Sequence, residues 1–489
     1  MRKYLFLTVL IAGVTQGRAQ EAAPDVFPAI NQEVLAHSAA FELLGQSAAT
    51  IGHRLTGSAN GRKAEQFVYD QLKGYGFTRK ELRFQPFEVT SWSRGTVQLG
   101  LVQTGTTDTQ LLRTVTLAHS PVSVNLQGEL VDMGNGLEAD YLQDPGKVKG
   151  KIVLASLQLM PGSAEGLRNL HRSEKTALAI KYGATGMILY NGVKNGVLLT
   201  GTASVTGQLN PIPALCITYE DGIHLQDLLK NTGYTAHISM SNYSGPIKAR
   251  NVIASIPGTT YPKEKIIVCG HLDSWDLATG ATDNGLGAFA IVDMARTFKK
   301  LHLRAERTIE FVLFMGEEQG LLGSTAYVEK AVKDGSLDQV KYVLNFDMAG
   351  NPVGFVANGR KEAGDFFVST GAALHAIDTV FSNKSSAGNA GLHSDHEPFL
   401  LQGIPTATSV SNMPSSIYGC YHADCDDMPL IKKEWMVNQV RFSCMMIYTL
   451  ANARALPALR QTDAETKQFL VDNKLKEALQ IAGHWRWKD

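Results

Sequence analysis

The chain has 489 residues, 44% of them hydrophobic and 19% charged, and its 46 basic and 46 acidic side chains cancel. That composition suits a globular protein with more than one core. It offers no positive field for nucleic acid or an anionic membrane, and its five cysteines are too few for a disulfide-built scaffold of this length.

The chain begins MRKYLFLTVLIAGVTQGRAQ. A basic start, an apolar stretch from Tyr4 to Val14 and small residues ending at Ala19 read as a secretory signal peptide over 1–19. The apolar stretch is shorter than the roughly 20 residues that span a bilayer, so the expected product is secreted or periplasmic, with no membrane attachment after cleavage. Losing Arg2, Lys3 and Arg18 with that segment takes the formal charge from 0 to −3.

Residues 31–75 carry helical spacing, interrupted by the Gly/Ser-rich IGHRLTGSANG. From about 100 to 245 the character changes. Strand-like runs (GELVDMG, GKIVLASL, GMILYNG, IPALCITYED) alternate with Gly and Pro, and one helical segment, SEKTALAIKYGA, interrupts them. This stretch reads as a separate β-rich module inserted into another domain, and none of its pieces gathers the residues of a catalytic site.

Residues 246–455 alternate strand and helix, which predicts an α/β sheet with helices on both faces. A final amphipathic helix runs from Lys432 to Asn452, and a polar, helical tail follows from 456. The divisions expected are 1–19, 20–109, 110–245, 246–455 and 456–489.

Three buried runs in this second half end in reactive residues. KEKIIVCG leads into His271-Leu272-Asp273, and the loop TGATDNGLGA then presents Asp283. TIEFVLFMG ends in Glu317-Glu318, and KYVLNF ends in Asp347. In open α/β sheets ligands bind at the carboxyl ends of strands. Asp273, two positions after His271, shares its side of an extended strand and can orient the imidazole. Asp283 can cap a helix, or bridge two metals with one oxygen each. Adjacent acids at the end of a buried strand are costly unless paired or metal-bound. In a turn they point different ways, so one can bind metal while the other acts as base. His422, in GCYHADCDD, is the candidate distant ligand, with His393 and His396 of GLHSDHEPF as alternatives. Such a His/Asp/Glu set suits two zinc ions about 3.5–4 Å apart. Cys269 and Cys444 read as inert core thiols. Cys420 and Cys425 form either a disulfide, which export permits, or half of a zinc knuckle that lacks its second pair.

HLDS, TDNGLGA, GEEQGLLGS, NFDMAG and the later YH together resemble the signature of the di-zinc exopeptidase family, which includes secreted bacterial aminopeptidases and carboxypeptidase Q-like enzymes. IGHRLTGSANGRKAEQFVYDQL is similar to the family's entry segment, and 110–245 resembles a protease-associated domain. The resemblance spans most of 35–455. It implies a mixed, mostly parallel sheet and two zinc ions, with His271 and Asp347 on one, Glu318 and His422 on the other, and Asp283 between them. It implies Glu317 as general base and Asp273 as the partner of His271. The implied substrates are short peptides or dipeptides, cut by an aminopeptidase or dipeptidase, or alternatively by a carboxypeptidase. By analogy the inserted module shades the cleft or pairs two copies as a homodimer. A non-catalytic ectodomain like the transferrin receptor is the contrasting reading, disfavoured because every expected ligand type is present. A one-zinc, glutaminyl-cyclase-like transferase fits less well, and no G-x-S-x-G elbow supports a serine hydrolase.

Overall fold

The computed structural model describes residues 26–488; the expected signal peptide lies outside them. Three helices open the chain: α1 (Val26–His37), α2 (Ala40–Thr50) and α3 (Ala59–Gly74). Ser58 caps α3, its hydroxyl accepting from Gly61 N, as expected of Ser before an apolar-periodic run.

Two elements then run between both halves of the molecule. β1 (Leu82–Gln103) and β8 (Tyr234–Ile256) pair antiparallel over nearly their whole length, with a register shift between Ser93 and Thr96. Between them lie β2 (Thr109–Leu112), β3 (Thr114–Thr116), β4 (Ser123–Asp132), α4 (Glu138–Gln143), β5 (Ile152–Ser156), α5 (Arg172–Lys181), β6 (Gly186–Tyr190), β7 (Ala214–Ile217) and α6 (Tyr219–Leu228). β4, β5, β6 and β7 pair in parallel, and β4 returns to β8. The inserted module is therefore tied to the rest by shared strands as well as by linkers.

The larger part continues with β9 (Tyr261–His271), α7 (Leu286–Lys300), β10 (Arg307–Phe314), α8 (Leu322–Lys333), β11 (Val340–Asn345), β12 (Pro352–Val356), α9 (Gly364–Ile377), α10 (Glu397–Leu400), β13 (Thr406–Ser411) and α11 (Lys433–Ala451). Its sheet order is β12-β13-β11-β9-β10-β8. The central strands β13, β11, β9 and β10 are parallel, and β12 and β8 flank them antiparallel. The sheet is mixed α/β, as expected. Alternation along β9 shows why both faces are covered. Ile266 and Val268 enter a core with α1, α2, α7 and α11, while Ile267 and Cys269 enter a second core with Tyr327 and Val328 of α8 and Phe399 of α10. The chain closes with α12 (Asp463–Asp472) and α13 (Lys476–Ile481). Among the described residues no helix is long and apolar enough to cross a membrane.

Candidate active site

Because β9, β10 and β11 run parallel, the residues that follow them gather at one edge of the sheet. Phe314 is in register with His271, and Asn345 with Cys269, so Glu317-Glu318 and Asp347 arrive beside His271. Asp283 comes from the loop before α7. His422 comes from much later in the chain.

His271 Nε2 lies 3.2 Å from Asp283 Oδ1 and 3.2 Å from Asp347 Oδ1, with Glu317 Oε2 at 4.0 Å. His422 Nε2 lies 3.0 Å from Asp283 Oδ2 and 2.9 Å from Glu318 Oε2. Asp283 thus presents one oxygen to each imidazole. The ligand atoms of His271, Glu317 and Asp347 lie within 4.8 Å of one another, as do those of His271, Asp283 and Glu318.

Asp273 differs in detail from the expectation. β9 ends at His271, so the extended geometry that would aim the Asp273 carboxylate at the ring does not continue. His271 Nδ1 meets the Asp273 backbone carbonyl at 3.1 Å, and the carboxylate only at 3.6 Å. The Asp273 carboxylate instead accepts from Glu317 N at 3.3 Å. Either contact leaves Nε2 facing the acids. His393 and His396 do not join the cluster. His393 stacks on His171 with ring centres 5.8 Å apart, and His396 Nε2 lies 3.1 Å from the Gly391 carbonyl. Cys420 and Cys425 form a disulfide around His422, which removes the zinc-knuckle alternative. Cys216, Cys269 and Cys444 are buried thiols.

The electrostatics are those of acids crowded out of water. Burial pushes the Glu317 and Glu318 carboxyls well above their ordinary range, reinforced by Asp347 beside Glu317 and Asp283 beside Glu318, against the pull of His271. Burial opposes a charge on His271, yet Glu317 and Asp347 raise it well above its usual value. Burial and Arg172 hold His422 down, against Asp283. Glu318 Oε1 and Asp273 Oδ2 are buried with no hydrogen-bond donor, and buried Asp283 Oδ1 faces only the His271 ring. Orphaned carboxylate oxygens between two imidazoles are the donor set that a divalent cation satisfies, and mixed N/O ligands suit zinc.

Several supporting residues went unnamed in the sequence. Asp426 accepts from the Thr282 and Asp283 amides at 2.7 and 3.0 Å, and so sets Asp283. It follows His422 by four positions, where the acid-rich DCDD was a visible signal. The Asn284 amide group donates to Phe346 O at 2.9 Å and accepts from Met348 N at 3.0 Å, joining this loop to the end of β11. Ser394 donates to Asp347 Oδ2 at 2.7 Å, from between the two alternative ligands His393 and His396. Arg172 brings the inserted module, which was expected to gather no catalytic site of its own, into contact with His422. Its Nη2 lies 2.9 Å from His422 Nδ1, and Thr200 N donates to His422 O at 2.8 Å. A cavity of about 360 Å³ opens over Asp283, Glu317, Glu318, Asp347 and His422.

Carboxylates and imidazoles paired across one buried acid, at the carboxyl edge of a mostly parallel sheet, define a metal-dependent hydrolase of the α/β class. Residues 251–445 match the family model for Peptidase family M28 and residues 126–225 that of the PA domain. The chain thus carries a peptidase M28 domain, with a PA domain ahead of it. Carboxypeptidase Q of Xenopus laevis is 27% identical to it over 406 residues, covering 82% of this chain and 83% of that protein. The crystal structure of a peptidase M28 precursor from Shewanella amazonensis SB2B shares the fold with a TM-score of 0.73 at 23% identity, covering 89% of this chain and 98% of that one. BSAP, a zinc aminopeptidase from Bacillus subtilis, gives a TM-score of 0.64 at 22% identity, covering 87% and 97%.

Proposed function

We propose that this chain is an exported exopeptidase that hydrolyses short peptides or dipeptides at a site holding two zinc ions. His271 and Asp347 would hold one, Glu318 and His422 the other, with Asp283 shared. The observation that carries this reading is the placement of the two Asp283 oxygens, 3.2 Å from one imidazole and 3.0 Å from the other. Bound zinc supplies Lewis acidity, lowering the pKa of a coordinated water and polarising a carbonyl. Glu317 is the general base. It takes the proton of the attacking water and passes it to the leaving amine. Asp273 holds the Glu317 amide through its carboxylate and His271 through its carbonyl, and so positions both.

Zinc is supported by the donor set and by the BSAP fold likeness. Export is supported by the leader-like pattern of residues 1–19 and by the Cys420–Cys425 disulfide, a bond of oxidising compartments. The attacked end divides the reading. Aminopeptidase or dipeptidase action is the first reading. Arg172 favours the second, a carboxypeptidase, because a cation beside the site suits a free carboxylate. The test is an unblocked dipeptide with its N-acetylated and C-amidated forms, each assayed with chelator and with zinc restored. Glu317→Gln should lose about 10²–10⁴ in kcat while metal content stays unchanged. Near-normal turnover by that variant would refute the assignment of the base.

A further inference from the structure

The tail after α11 supplies no residue to the site described above, yet it forms part of the same cleft. Ala478, Leu479, Ile481, Ala482 and His484 line the cavity that opens over Asp283, Glu317, Glu318 and Asp347. Its attachment is specific. Leu479 and Leu470 pack with Leu400 in a small core of their own, with Trp485 and Trp487 against it. His484 Nδ1 lies 3.1 Å from Glu397 Oε1, and Glu397 is buried with its other oxygen accepting from His393 N at 2.8 Å. At the start of α13, Glu477 lies 3.6 Å from Arg168 of the PA domain. The tail therefore touches both the peptidase domain and the inserted domain beside the cavity. Ile481 is not absorbed into the small core: it keeps 40% of its surface exposed and faces the cavity.

We infer that the segment from Lys476 to His484 is the closing wall of the substrate cleft, and that it confines the enzyme to di- and tripeptides. Ile481 meets the substrate's side chain, and the His484–Glu397 pair latches the wall in place. This inference rests on the peptidase reading. Its physical basis is room. A cavity of about 360 Å³ lies near the lower end of the ~300–1,000 Å³ typical of small-molecule sites. An extended peptide lengthens by about 3.3 Å per residue, so each added residue is pushed toward the rim where α13 stands. Ala478 and Ala482 keep the wall flat, and Ile481 with Leu392 and Leu321 gives the cavity an apolar lining beside its acidic residues.

The test compares wild type, His484→Ala and Ile481→Trp, all zinc-loaded, on an alanine-rich series from dipeptide to hexapeptide. Unlatching the wall with His484→Ala should raise hexapeptide kcat/KM relative to dipeptide by about 10-fold. Filling the cavity with Ile481→Trp should raise KM for dipeptides while kcat stays near wild type, since Ile481 touches no reacting atom. If both variants keep the wild-type length profile and dipeptide KM within about twofold, the wall inference is overturned and the peptidase reading stands. If His484→Ala fails to fold, Ile481→Trp decides alone by the same KM criterion. If zinc-loaded wild type cleaves no peptide of the series, the peptidase reading fails and this inference falls with it.

Discussion

Replacing Arg54 with Met should destabilise the protein through the loop that carries Asp283. Arg54 is fully buried. Burial lowers its pKa to about 10, opposed by Asp426, Asp273, Asp283 and Glu318, so it stays charged at neutral pH. Its guanidinium donates to Leu272 O at 2.6 Å, Thr279 O at 2.7 Å and Gly280 O at 2.9 Å. Gly280 O keeps a second donor, Gly285 N, at 2.9 Å, so Met leaves two carbonyls stranded, on Leu272 and Thr279. At about 1–3 kcal/mol for each buried group left without a partner, the loss is about 2–6 kcal/mol, nearer the lower figure because Thr279 O is only partly buried. Guanidinium-chloride unfolding in the presence of chelator would measure it. A zinc titration should show weaker binding, because residues 272–283 are no longer pinned. Arg54→Lys keeps the charge with a single donor group and should fall between the two. If Arg54→Met unfolds within about 0.5 kcal/mol of wild type, the range of ordinary surface substitutions, the account of this loop is wrong.

Two further outcomes test the frame around the site. A Cβ on Gly287 would sit 2.1 Å from Phe346 O. Gly287→Ala should therefore cost about 1–3 kcal/mol and weaken metal binding, by about tenfold per 1.4 kcal/mol transmitted to Asp347; a metal titration and a melting curve read both. Glu310 lies far from the cleft chemistry. Burial alone would raise its carboxyl, but Arg83, Lys265 and the Tyr327 hydroxyl outweigh burial and hold it below 4.5. A depressed folded-state value means that its stabilisation is complete above about pH 4.5 and is lost as pH falls through the folded value. Glu310→Gln should flatten the acid arm of the stability–pH curve, followed by unfolding at stepped pH; an unchanged slope below pH 4.5 would refute it.

Much of the α/β domain is legible in the chain because its signals are local. Ile266, Ile267, Val268 and Cys269 are apolar on both faces, which marks a central parallel strand, and the first reactive residue after each such strand reaches the sheet edge. His271, Glu317, Glu318 and Asp347 are brought together by that rule alone. Asp283 follows because a short Gly-punctuated loop cannot carry it far. The His271–Asp273 contact departs from the expectation because period-two geometry does not hold for Asp273, two residues beyond the end of β9.

The placement of His422, Asp426, Arg172 and the tail depends on contacts between distant segments, although GCYHADCDD marks the first two as candidates in the sequence. His422 lies 139 positions after Asp283 in the numbering, and its approach depends on the disulfide and the PA-domain loop at Thr200. The length of β1 and β8, which join the two domains, is set by their pairing with each other. Strand alternation and strand-end chemistry are properties of neighbouring residues, so the sequence alone determined the parallel sheet and its acidic edge. The second imidazole, the cation beside it and the wall around the cleft are meetings of distant segments. Only the packed tertiary structure, which overcomes the entropy of bringing those segments together, decided where they stand.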